Sequence, residues 1–96
     1  MLKKNDILDC LRKKRPELES RFKVKTIGIF GSYACDEQTE NSDIDVLVEF
    51  SEPVDWLFFD LQDYLQFLFS RKIDLVTKRA LKPFIKEDIL ARVLYS

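Results

Sequence analysis

An apolar run that stops at Gly31-Ser32, followed eleven residues after Ser32 by Asp43-Ile44-Asp45 opening a second run, constrains this 96-residue chain more than its composition does. The run Val24 to Phe30 is short and partly β-branched, which predicts a buried strand leading into a sharp turn. A glycine there lets an anion approach the main chain, and the Ser32 hydroxyl adds an uncharged donor, so the turn can form an anion-binding nest. By itself, a Gly-Ser pair after a strand is more often only a turn.

In Asp43-Ile44-Asp45-Val46-Leu47-Val48-Glu49-Phe50 the period-2 alternation of a strand puts Ile44, Val46, Val48 and Phe50 on one face and Asp43 and Asp45 on the other. Carboxylates about 5 Å apart repel by roughly 3 kcal/mol at an effective dielectric near 20, and a divalent cation between them turns that cost into attraction. Hard oxygen ligands suit magnesium or manganese. A bare Asp-x-Asp is more often a capped, solvated start of a strand. The third short strand pattern, Lys72-Ile73-Asp74-Leu75-Val76-Thr77, sets another acid among apolar residues. Beside the second strand, Asp74 faces the same point as Asp43 and Asp45 and completes a three-carboxylate site for two metals. An ion pair with Lys72 or Arg71 is the alternative.

These residues resemble the signature of the minimal nucleotidyltransferases (MNT) of the DNA polymerase β-like superfamily, in which Gly-Ser and a spacer precede Ser-Asp-x-Asp in a strand. The matching text is Phe30-Gly31-Ser32-Tyr33-Ala34 and Asn41-Ser42-Asp43-Ile44-Asp45-Val46-Leu47-Val48-Glu49-Phe50. The likeness continues through Ile73 to Thr77, Leu81-Lys82-Pro83 and a last helix. Relatives usually carry Arg-Gly after the alanine, where this chain has Cys35-Asp36. That exchange removes a cation near the phosphates and adds an anion.

The resemblance implies nucleotide binding by Gly31, Ser32 and Ser42, and catalysis and metal binding by Asp43, Asp45 and Asp74. It implies two magnesium ions, with manganese as an alternative, and ATP as the nucleoside triphosphate. AMP would pass to a protein hydroxyl, a tyrosine of a partner HEPN-type toxin, itself a helical RNase, so that this chain acts as its antitoxin. Two alternatives stand beside it: a catalytically weak antitoxin that neutralises the toxin by contact, and transfer to a small molecule. The chain contains no histidine, so base work falls to Asp74 or to solvent. Lys78, Arg79 and Lys82 read as a solvated loop.

Composition, at 46% hydrophobic and 34% charged residues with a net charge of −1, fits one small domain over residues 1–96. Such a length holds no separate acceptor-binding domain, so the acceptor is expected on another protein or subunit. Cys10 and Cys35 are too few for a disulfide framework, the N-terminus has no apolar leader, and no stretch approaches a membrane span. A cytoplasmic protein is expected, with no membrane partner and self-association left open. Near-neutral charge argues against nucleic acid as a partner, and the basic stretch of Lys13, Lys14, Arg15, Arg21, Lys23 and Lys25 reads as a solvated helix face.

Periodicity predicts helices at 6–14 and 18–22 separated by a break at Pro16, strands at 24–30, 44–50 and 72–77, and helices at 55–69 and 83–94. The expected architecture is α/β (α+β): a small mixed three-stranded sheet covered by helices on one side, a nucleotidyltransferase fold. In the 55–69 helix, Leu57, Leu61, Tyr64, Leu65 and Leu68 form the stripe that faces the sheet. Trp56, Phe59 and Phe67 fall opposite. They either anchor a partner protein or lie under the first or last helix.

Overall fold

The structure is a computed structural model that describes residues 2–96. The three expected strands form with their expected ends, β3 beginning one residue later than its pattern suggests. The apolar runs form β1 (Val24–Phe30), β2 (Ile44–Phe50) and β3 (Ile73–Thr77), and the helices preceding β1 are α1 (Lys4–Lys13) and α2 (Arg15–Phe22). Pro16 does not break the chain. It occupies the first turn of α2, where its missing N–H is harmless, and the kink falls at Lys14 instead. Gly31–Ala34 winds into a single helical turn, α3, directly after β1.

The strands pair in the order β3-β2-β1-β4, with β1 antiparallel to β2 and β4, and β2 parallel to β3. A parallel pair needs a crossover, and α4 (Leu57–Phe69) supplies it. Its Leu61, Leu65 and Phe69 are buried, with Leu57, Tyr64 and Leu68 packed at the margin of the core as the helical stripe requires. Ile7 and Leu11 of α1, Leu18 and Phe22 of α2, and Ile44, Val46 and Val48 of β2 complete that core. The Tyr64 hydroxyl donates to Glu17 Oε2 at 2.6 Å, tying α4 to α2.

The sheet has four strands, not three. α5 (Pro83–Arg92) ends two residues earlier than its apolar pattern suggests, and Leu94–Tyr95 form β4 against β1. Two residues carry no period, so β4 exists only because β1 offers a free edge. The opposite face of the sheet is not bare either: Leu47 and Leu81 are buried outside the main cluster, and Val93 lies on Gly28. A Cβ on Gly28 would stand 2.6 Å from the Leu94 carbonyl oxygen. Gly28→Ala is therefore expected to push β4 off its edge, at about 1–3 kcal/mol. The melting temperature should fall, and the Ser96 amide, which donates to the Ile27 carbonyl at 3.0 Å, should lose exchange protection first. Unchanged protection would show that the edge accommodates a methyl group.

Candidate active site

The antiparallel β1–β2 register sets Asp45 opposite Phe30, and the parallel β2–β3 register sets Asp45 beside Asp74. The end of one strand and the starts of two others therefore meet at one place. Gly31 follows Phe30 with φ +70, a left-handed conformation that glycine adopts without strain. A methyl group there would overlap the Asp45 carboxylate. The turn thus lays its main chain against the carboxylate of β2, which is why the Gly-Ser pair and the Asp-x-Asp pair belong to one site.

The turn is held from within. Cys35 N–H donates to the carbonyls of Gly31 and Ser32, and Glu37 N–H donates to the Ser32 carbonyl at 2.9 Å. Ser42, expected at the nucleotide, has its hydroxyl engaged in the 39–42 turn: Oγ accepts from Thr39 N–H at 2.9 Å and lies 3.3 Å from Thr39 Oγ1. That pairing fixes the backbone immediately before Asp43.

Burial pushes the Asp45 carboxyl up to about 6, and the negative charge of Asp74, a hydrogen bond with it and the charge of Asp43 add to the shift. The charges of Asp43 and Asp74 therefore both reach Asp45. Asp43 and Asp74 are exposed while Asp45 is half-buried. They are neighbours rather than a closed shell: among the described residues, no group of three or more His, Cys, Asp or Glu side chains is gathered tightly enough to hold an ion. In donor chemistry, though not in spacing, the set suits magnesium. It is all hard oxygen, and its central member is penalised for being ionised in the absence of a cation.

The Cys35-Asp36 departure has a counterpart that the sequence does not reveal. Asp36, at φ +58, pairs with Lys4 Nζ of α1 at 2.8 Å. The added anion at the end of the turn thus meets a cation 32 residues away in the chain, a separation with no local signal. Lys78 is likewise committed, pairing with Glu49 at 3.5 Å and lying over the Tyr95 ring, whereas Arg79 and Lys82 are exposed as expected. Trp56, Phe59 and Phe67 are 79%, 55% and 81% exposed, so neither the first nor the last helix covers them.

A left-handed glycine turn laid against Asp45, with Asp74 beside it on a mixed sheet, suits a nucleotidyl-transferring domain. The chain belongs to the nucleotidyltransferase domain family, whose sequence profile matches residues 11–96, and within it to the minimal nucleotidyltransferases. A "putative protein adenylyltransferase" of Methanocaldococcus jannaschii is 54% identical over 93 residues, covering 95% of each chain. The protein adenylyltransferase MntA of Thermococcus cleftensis is 42% identical over 96 residues, covering 99% of this chain and 97% of its own. A crystal structure of a toxin–antitoxin with AMP-PNP superposes with a TM-score of 0.69 at 27% identity, covering 98% of this chain and 72% of that one. The chain is a nucleotidyltransferase of the protein adenylyltransferase kind.

Proposed function

We propose that this chain transfers AMP from ATP to a tyrosine hydroxyl of a partner HEPN-type toxin, and so acts as a cytoplasmic antitoxin. The observation that carries the reading is the meeting of the Gly31 turn, Asp45 and Asp74 at one corner of the sheet. The name of the MntA relative and the AMP-PNP complex of the toxin–antitoxin support the nucleotide and the partner.

The phosphates of ATP lie on the main chain of the Gly31 turn and on the Ser32 hydroxyl. Asp43, Asp45 and Asp74 would hold magnesium, which when bound neutralises charge on the departing pyrophosphate and lowers the pKa of the acceptor hydroxyl. β3 is an edge strand and Asp74 is exposed on it, so the acceptor reaches the site from that edge. The acceptor oxygen attacks the α-phosphorus, the bond to the β-phosphate bridging oxygen breaks, and Asp74 or solvent takes the hydroxyl proton.

Incubating a purified HEPN toxin with this protein, ATP and magnesium, then measuring the toxin's intact mass, tests the proposal. A gain of one or more adenylyl groups, absent with Asp43→Asn, Asp45→Asn, is the expected result. A silenced toxin in a stable complex without any mass gain would overturn it, leaving neutralisation by contact.

A further inference from the structure

One line along α4 forms no ion pair among the described residues, although Arg21 and Phe22 of α2 border the groove that Asp60, Asp63 and Phe67 also line. Trp56, Asp60, Asp63 and Phe67 fall at i, i+4, i+7 and i+11, a spacing that keeps all four on the same side of a helix, over about 16 Å. Trp56 and Phe67 at its two ends are 79% and 81% exposed. Phe59, 55% exposed, supports Trp56 with its ring centroid 6.1 Å away. Asp60 and Asp63 between them are exposed, as are Glu52 and Asp55 just upstream. None of these four acids takes part in any of the six ion pairs found among the described residues, while Asp9, Glu17, Glu19, Asp36, Glu49 and Asp88 all do. Residues 51–70 contain four acids and no lysine or arginine, in a chain whose net charge is only −1.

Aromatics alone would suit any apolar partner. Carboxylates held between them exclude a purely apolar one, because covering the two charges of Asp60 and Asp63 with hydrocarbon leaves them desolvated and uncompensated. The occupant must bring cations to the centre of the line and flat, stackable platforms to its ends. Lysine and arginine surfaces that hold single-stranded nucleic acid have this chemistry, since they meet a row of anions and stack on flat rings. The chain's own basic stretch is a poor source of such a surface. Arg15 is engaged by Glu19 and by the main-chain carbonyls of Lys25 and Ser96, and Arg21 by Glu17 and the rings of Phe22 and Tyr64.

We propose that the Trp56-Asp60-Asp63-Phe67 line docks on a basic, nucleic-acid-binding surface of the protein that this chain adenylylates, occupying it as a strand of nucleic acid would. The inference rests on the reading that the acceptor is a protein. It adds a second route to neutralisation, by occlusion, that does not depend on transfer of AMP.

The test uses the full chain and the purified toxin, in the absence of ATP. The wild-type complex should weaken steeply as salt rises, and a single-stranded RNA oligonucleotide should compete with it. Asp60→Lys with Asp63→Lys should weaken the complex at least about tenfold, and Trp56→Ala with Phe67→Ala by a similar factor, with ATP binding and melting temperature unchanged. Unchanged toxin affinity in the charge-reversed variant, while the wild type still adenylylates the toxin, would overturn the docking line and leave the enzymatic reading intact. So would a complex indifferent to RNA, or a wild-type dimer in sedimentation that the charge reversal dissolves without affecting the toxin. A salt-sensitive, RNA-sensitive complex with no mass gain on the toxin would do the opposite, removing the transferase reading and supporting the docking line.

Discussion

Asp45→Asn is expected to make the metal-free protein more stable while reducing AMP transfer by about a thousandfold. Both effects follow from one property of the side chain. Burial and the neighbouring Asp74 and Asp43 carboxylates raise Asp45 from 3.8 to about 6, so across that interval the folded chain keeps a proton that the unfolded chain has released. Stability contributed by the protonated form is complete at the low end of the interval and is lost as pH rises through about 6. Near neutral pH the metal-free protein carries the whole of that loss. The site is about half exposed, so solvent screening reduces the loss to on the order of 1 kcal/mol. An asparagine has the same shape and no charge. The melting temperature of the variant should therefore exceed that of the wild type near neutral pH by about 4–8 °C for each kcal/mol recovered, and the gap should close in acid. Magnesium should raise the melting temperature of the wild type and leave the variant where it was. A variant less stable than the wild type near neutral pH would show that Asp45 is held by interactions that reward its charge, and the electrostatic account of the site would fail.

The residues of the candidate site are legible in the sequence because each is tied to a local signal. Gly31 ends an apolar run, Asp43 and Asp45 occupy alternate positions of a strand, and Asp74 interrupts an apolar strand. Register brought them together: the sequence shows that three strands exist, but only the parallel pairing of β2 with β3 makes Asp74 a neighbour of Asp45. What remained hidden was non-local or too short. β4 has two residues, fewer than any period needs, and it is stabilised by the free edge of β1 rather than by its own composition. The Lys4–Asp36 pair joins an N-terminal helix to the turn after β1, so no local signal announces a partner for the anion at Asp36. The exposure of Trp56, Phe59 and Phe67 was open for the same reason, since periodicity says which residues share a face but not whether another helix lies on it.

Gly31→Ala should cost activity out of proportion to its effect on folding. Two terms separate here. Placing an alanine at φ +70 costs about 1–2 kcal/mol wherever it occurs, because its Cβ crowds the following carbonyl. The second term belongs to this site: the new methyl overlaps the Asp45 carboxylate, which is the end of a side chain and can swing aside. The domain survives that movement, but the carboxylate leaves the place from which it faces Asp74. A displacement of about 1 Å at a reacting centre is worth about a hundredfold in rate, so AMP transfer should fall by that factor while most of the protein remains folded. A double-mutant cycle separates the terms. In an Asp45→Ala background the methyl meets no carboxylate, and Gly31→Ala should then cost only the backbone strain in a urea titration, with a coupling of about 0.5–3 kcal/mol between the two positions. Equal costs in both backgrounds would mean that the close approach of Gly31 to Asp45 is not what requires a glycine, and that the turn needs it for its backbone alone.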